Sequence, residues 1–208
     1  MARRRSELFR EKSGLSELLE RYTLENWQCR EQWQANLRRT VEEYAQNREG
    51  WLYISGRPGT GKTHICTALC ALLLNQGLST RYMLWRDVSV RAKAVVNDEE
   101  AYQEIVSPLK RATVLYIDDF FKMGKMRDRS GQRTVAEPTV GDVNLAFEII
   151  NARYNDARLL TIFSSEMRLD PEILDIDEGL GSRIAQRTNG RNFDLSDKQN
   201  WRLMNASA

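Results

Sequence analysis

Cysteine and histidine are scarce in this chain of 208 residues, with three of the first and one of the second. Cys29, Cys66 and Cys70 are odd in number and contain no C-x-x-C pair, so neither a disulfide nor a metal is expected to hold the fold. Cys66 and Cys70, four apart, read as small buried hydrophobes rather than metal ligands. This usage fits a reducing cytoplasm. No window approaches the ~18 apolar residues of a membrane span. The basic start, Met1–Lys12, has no apolar stretch behind it, so no secretion signal is expected either. The expectation is a soluble, cytoplasmic chain with no membrane partner. Charge of one sign is lacking too: the net charge is +2, which favours no class of partner. Two local clusters depart from that balance. Arg3, Arg4, Arg5, Arg10 and Lys12 outnumber Glu7 and Glu11, and Lys122, Lys125, Arg127, Arg129 and Arg133 surround Asp128. Each is either a polyanion contact or a solvated basic surface.

The strongest motif is Gly56-Arg57-Pro58-Gly59-Thr60-Gly61-Lys62-Thr63, a complete G-x-x-x-x-G-K-T loop. Its glycines reach backbone angles closed to other residues, so successive N–H groups can turn inward around a phosphate. Lys62 adds a charge that reaches the β- and γ-phosphates, and the Thr63 hydroxyl is placed to ligate Mg2+. Trp51–Ser55 before the loop is β-rich and apolar, and Thr63–Leu74 after it reads as a buried helix. That helix would aim its N-terminal N–H groups at the phosphates. The stretch Gly56–His64 is therefore the candidate contact for a nucleoside triphosphate and Mg2+. A chance Gly/Pro surface turn would not carry both flanks. His64, in the first helical turn, is expected to be exposed and without a catalytic role.

At this length the chain suits one α/β domain with a short extension, able to bury roughly 70 % of its unfolded surface. Residues 1–14 read as a basic flexible arm, 15–48 as a helical linker and 49–208 as the catalytic domain. Within the linker, Leu15–Tyr22 is a short amphipathic piece. Glu25–Asn47 is a longer helix carrying Trp27, Trp33, Leu37, Val41 and Tyr44 near helical spacing. Beyond the loop helix, strands are predicted at Thr80–Leu84, Thr113–Asp118, Leu159–Phe163 and Asn192–Leu195. Helices are predicted at Asp87–Val96, Asp98–Leu109, Asp142–Tyr154, Asp170–Ile176 and Leu180–Arg187. Lys122–Gly141 reads as a long mobile loop or insertion. There is no internal repeat. Alternating strands and helices imply a three-layer parallel sheet with ligands at the carboxyl ends of its strands.

Val114–Asp119 is an apolar strand ending in two carboxylates, about 55 residues after the loop. Asp118 suits holding Mg2+ through water or Thr63, because a hard cation takes oxygen ligands. Asp119 suits polarisation of an attacking water. With both motifs in view the chain resembles the AAA+ ATPases, and within them the DnaC/IstB-type helicase loaders of the short phage type. The likeness runs from about Leu15 to Leu203. It rests on Tyr22–Trp27, Gly50–Gly56, Gly61–His64, Tyr116–Lys122, Phe147–Tyr154, Phe163–Glu166 and Gly181–Ile184.

That resemblance implies a five-stranded parallel P-loop NTPase sheet, with Lys62, Asp118 and Asp119 as Walker residues. It places Ser165 or Glu166 at the polar sensor position reading the γ-phosphate. Family members often carry Asn there, and a carboxylate would repel phosphate. Arg183 in Gly-Ser-Arg matches the arginine finger that completes a neighbour's site, with Arg187 as its competitor, and such a finger is worth ~10³ to 10⁵ in rate. Arg202 matches a further phosphate sensor or a structural residue. Trp85–Lys93 lies where related proteins contact single-stranded DNA, its cations and ring suiting that ligand unless they form a snorkelling face. The chain departs from the family in three ways: Asp-Asp replaces Asp-Glu, little or no room for a helical lid is expected, and the sequence starts close to the core, where related loaders often carry a separate helicase-binding or zinc-binding domain. Slow, partner-stimulated ATP hydrolysis is therefore expected. The implied function is loading of a replicative DNA helicase, in a homo-oligomer joined through Arg183 and in contact with single-stranded DNA. A transposition-type regulator, an ATP-gated DNA-binding adaptor with negligible turnover and a small-molecule P-loop kinase are the rivals. The kinase is disfavoured, since no second substrate pocket appears.

Overall fold

The computed structural model describes residues 11–127 and 133–204. The arm residues Arg3, Arg4, Arg5 and Arg10, and Arg129 of the second basic cluster, lie outside them.

Five strands form one sheet: β1 (Trp51–Ser55), β2 (Thr80–Leu84), β3 (Val114–Phe120), β6 (Leu160–Ser165) and β7 (Asn192–Asp194), in spatial order β2-β3-β6-β1-β7. Every pairing in it is parallel. The central strands are buried on both faces, which is why they read as continuous apolar runs rather than alternating ones. Successive side chains still divide between two cores. Leu52, Ile54, Val114, Tyr116, Leu160 and Ile162 enter one, while Trp51, Tyr53, Leu115, Ile117 and Phe163 enter the other.

Helices cover both faces. The first core is closed by α1 (Ser16–Arg21), α2 (Gln32–Asn47) and α3 (Lys62–Asn75). The second is closed by α4 (Trp85–Ala94), α5 (Glu99–Arg111), α6 (Val140–Tyr154) and α7 (Glu178–Thr188). Caps explain where several begin. Asp98 accepts from the Ala101 N–H, Thr139 from Asp142 and Asp177 from Leu180, so each helix starts where a short polar side chain satisfies an orphan donor. The expected three-layer parallel sheet is therefore present, and the two short helices expected before β7 appear as Leu169–Ile173 with Leu174–Ile176, and α7.

Two segments differ from expectation. The linker helix begins at Gln32 rather than Glu25. Thr23 and Asn26 close a reciprocal turn, each side chain accepting from the other's backbone N–H. The Gln34 side chain then accepts from the N–H groups of Arg30 and Glu31 and fixes the true start. These local bonds outcompete helix over 25–31, and they leave Trp27 free to pack elsewhere. The segment Lys122–Gly141 was expected as loop. Its described part contains an antiparallel ribbon, β4 (Lys125–Arg127) against β5 (Arg133–Val135), and ends inside α6.

Arg153 is the largest departure from simple patterning, a fully buried cation in the second core's helix. It donates to the carbonyls of Leu109, Ala112 and Leu160 and to the Thr161 hydroxyl, joining the end of α5, the entry to β3 and the start of β6. Burial pushes its pKa down to about 9.

Candidate nucleotide-binding site

The G-x-x-x-x-G-K-T loop leaves the carboxyl end of β1 and enters α3 directly, as the flanking sequence predicts. Gly56 and Gly61 have φ of 137° and 94°. A Cβ at Gly56 would meet the Leu195 backbone at 2.7 Å, and one at Gly61 would meet the Trp27 ring at 2.8 Å. Glycine is thus required both by angle and by the two segments that brace the loop from outside. From the far side, the Trp201 N–H donates to the Gly59 carbonyl at 3.0 Å.

Lys62 is buried and folds back onto its own loop, donating to the carbonyls of Gly56 at 2.6 Å and Arg57 at 2.9 Å. Burial lowers its pKa, opposed by the nearby carboxylates of Glu166 and Asp119. A cation held this way by weak partners is poised for an anion. Thr63 Oγ1 donates to Asp118 Oδ1 at 3.3 Å, which joins the loop helix to the end of β3.

Asp118 is buried among donors. Tyr116 donates to it at 2.8 Å, Tyr82 at 3.0 Å and the Asp119 N–H at 3.2 Å, and the Ser164 hydroxyl also donates to it. Burial, more than the adjacent carboxylate, raises the pKa of both tyrosines, so they remain protonated donors. These three residues escaped the sequence reading, yet part of the signal was there. Tyr116 is two before Asp118 and so on the same face of the strand, and Tyr82 is its register partner on β2.

Past Asp118 the chain turns sharply. Asp119 and Phe121 both have positive φ, 52° and 57°, which is costly for residues other than glycine. The stack of Phe120 on Phe121, with both rings edge-on to buried Trp85, holds the turn in place. It brings Lys122 Nζ to 3.1 Å from Asp119 Oδ2 and 2.7 Å from Glu166 Oε1.

Asp119, Lys122 and Glu166 line one open cleft of about 260 Å3 together with Lys62, Thr63 and His64. Pro58 and Gly59 line it too, as do Arg21, Tyr22 and Trp201, whereas Arg57 and Thr60 bond within the loop, the Thr60 hydroxyl donating to the Arg57 carbonyl. Of the sensor pair, Glu166 faces the cleft. Ser165 is buried, its hydroxyl donating to the Phe120 carbonyl and accepting from the Met167 N–H. Arg183 is outside its own chain's cleft. It donates to the Gly179 carbonyl and lies over the rings of Phe147 and Tyr154, half-buried on α7. Arg187 is spent on the Trp51 ring and the carbonyls of Asp156, Ala157 and Leu159. The Arg202 side chain lies outside the described residues.

Three expectations need correction. His64 is half-buried rather than exposed: its Nε2 is 2.8 Å from the Thr23 carbonyl, and its ring contacts Tyr22 and Trp27. Burial lowers its pKa, so it braces the 22–27 segment against the loop as a neutral ring. Trp85 is fully buried and offers no stacking surface for a base; α4 starts there because the ring fills the second core. Lys122 belongs to the cleft, not to a free basic loop. The buried thiols of Cys66 and Cys70 agree with expectation, and burial pushes both pKa values up.

The residues fit a nucleoside triphosphate with Mg2+. The positive-φ glycines let the loop's N–H groups turn toward a phosphate, and the Thr63 hydroxyl beside the Asp118 carboxylate supplies the oxygen donors a hard cation takes. Mg2+ so held would neutralise the charge on the phosphates. No helix among the described residues is long and apolar enough to cross a membrane.

A phosphate loop on β1 and paired carboxylates ending β3 of a parallel sheet define a P-loop ATPase. The chain belongs to the ATPase family associated with various cellular activities (AAA), whose profile matches residues 52–188. It is 34% identical over 140 residues to the uncharacterized protein YqaM of Bacillus subtilis (strain 168), covering 67% of this chain and 41% of that one. It is 29% identical over 113 residues to the replicative helicase loader DnaC of Escherichia coli (strain K12), covering 52% and 46% respectively. The chain thus spans less than half the length of these curated relatives. A solved DnaC helicase loader shares the fold with a TM-score of 0.62 at 21% identity, over 86% of this chain and 97% of that one.

Proposed function

We propose that this chain is an ATP-dependent loader of a replicative DNA helicase. The observation that carries the reading is the union of an intact Lys62–Thr63–Asp118 site with likeness to DnaC in both sequence and fold. On nucleotide binding, Lys62 exchanges the Gly56 and Arg57 carbonyls for phosphate oxygens, and Thr63 and Asp118 hold Mg2+. Asp119 orients the attacking water, and Glu166, paired with Lys122, stands at the sensor position beside it, with Ser165 bracing the strand end behind. Arg183 acts on a neighbouring subunit, because the face it occupies lies outside its own cleft. Single-stranded DNA is engaged by exposed cations such as Arg86 and Arg91 on α4, without a stacking ring.

Asp119 is already tied to Lys122, which favours slow turnover until a partner or DNA rearranges the turn. The same bond supports a second reading, an ATP-gated adaptor with negligible hydrolysis. The test is to mix the chain with the replicative helicase of its own genome and circular single-stranded DNA, and to count helicase on DNA with and without ATP. Loading that requires ATP, and is lost in Lys62→Ala, is the expected result; equal loading without ATP would reject the proposal. ATP-dependent association with no measurable hydrolysis would favour the adaptor.

A further inference from the structure

We propose that Lys122 is a charge-compensating residue that lets Glu166 and Asp119 stand in a phosphate-binding cleft, and that it thereby sets the preference for a triphosphate over a diphosphate. This rests on the cleft being a nucleotide site, as read above. Glu166 occupies a position where a carboxylate repels the incoming anion, and Asp119 adds a second negative charge lining the same cleft as Gly59, Gly61, Lys62 and Thr63. Lys62 feels both carboxylates but spends its hydrogen bonds on two carbonyls of its own loop. Lys122 bridges both carboxylates with a single ammonium group.

The bridge is built rather than incidental. Two residues with left-handed backbone, Asp119 and Phe121, fold the chain so that the Lys122 N–H donates to the Asp119 carbonyl at 2.9 Å. The Phe120 and Phe121 rings, buried against Trp85, anchor that turn in the second core. Burial works against a charged Lys122, but its bonds to Glu166 and Asp119 outweigh it and hold the pKa above the ordinary lysine value. The ammonium is therefore permanent, and it can turn from carboxylate to phosphate without leaving the cleft. Its side chain is 41% exposed, so replacing it empties no core.

The test is equilibrium binding of ATP and ADP, each with Mg2+, to the wild type, Lys122→Met, Glu166→Gln and the double variant, with melting curves as a fold control. Lys122→Met should weaken ATP by about tenfold or more, and ADP by much less, because repulsion from unmasked carboxylates grows with the charge of the ligand. Glu166→Gln should bind ATP more tightly than the wild type. The double variant should recover most of the affinity that Lys122→Met loses. The proposal is overturned if Lys122→Met binds ATP as the wild type does, if it loses ATP and ADP equally, or if the double variant is no better than Lys122→Met. A wild type that binds neither nucleotide would overturn the reading of the cleft itself, and this inference with it.

Discussion

Single residues decide this molecule where polar groups are sealed inside it. Among the described residues Arg153 forms no salt bridge; its worth lies in satisfying three backbone carbonyls from three segments at once. Arg153→Met would fit the space and leave those acceptors orphaned, each at about 1–3 kcal/mol. We expect a loss of about 3–5 kcal/mol in urea denaturation, a large part of a domain's usual stability. A loss below about 1 kcal/mol would contradict the role. Nothing in composition marked Arg153, since a cation inside an apolar helical repeat looks like an exposed one until the partners are known. Asp118 was legible because strand and loop pointed to it. Its donors Tyr82 and Ser164 were not, because they come from separate strands brought together only by sheet order.

At the scale of elements, most boundaries followed from apolar periodicity and caps. β2 spans Thr80–Leu84 as expected, and β3 and β6 run two residues further at their carboxyl ends, carrying the site residues into the sheet. Failures came where local bonds or packing overrode periodicity. The Thr23–Asn26 turn delayed the start of the linker helix to Gln32, and Trp85 drew the start of α4 into the core. Helix contacts also carry a pH prediction. Lys93 on α4 bonds Asp142 on α6 at 2.7 Å, and Asp142 is fully buried. Burial raises the Asp142 pKa, but the bonds from Lys93 and Thr139 outweigh it and leave it below the ordinary value of 3.8. A carboxylate with a depressed folded pKa stabilises above its unfolded pKa, and that stability is lost as pH falls through the folded value. Asp142→Asn should therefore lower the urea midpoint at neutral pH, and the gap to wild type should narrow below pH 3.8. A gap that is constant with pH would show that the ion pair contributes nothing.

For the whole molecule, the sheet order places the phosphate loop, the paired aspartates and Glu166 at adjacent strand ends, so the carboxyl end of the sheet collects the chemistry. Arg183 is the exception. The family resemblance implies that it acts outside its own site, and its position on α7, away from the cleft, suits action on a second copy. The free Nε of Arg183 is buried without a partner, and the guanidinium rests on two rings, contacts that a stronger anionic partner would outbid.

The central claim is that ATP is hydrolysed in a site this chain only half supplies. Arg183→Ala and Asp119→Asn proteins, each impaired alone, should regain ATP hydrolysis when mixed with Mg2+ and single-stranded DNA, because some interfaces then pair an intact Asp119 with an intact Arg183. Absence of recovery at any mixing ratio would contradict the shared site.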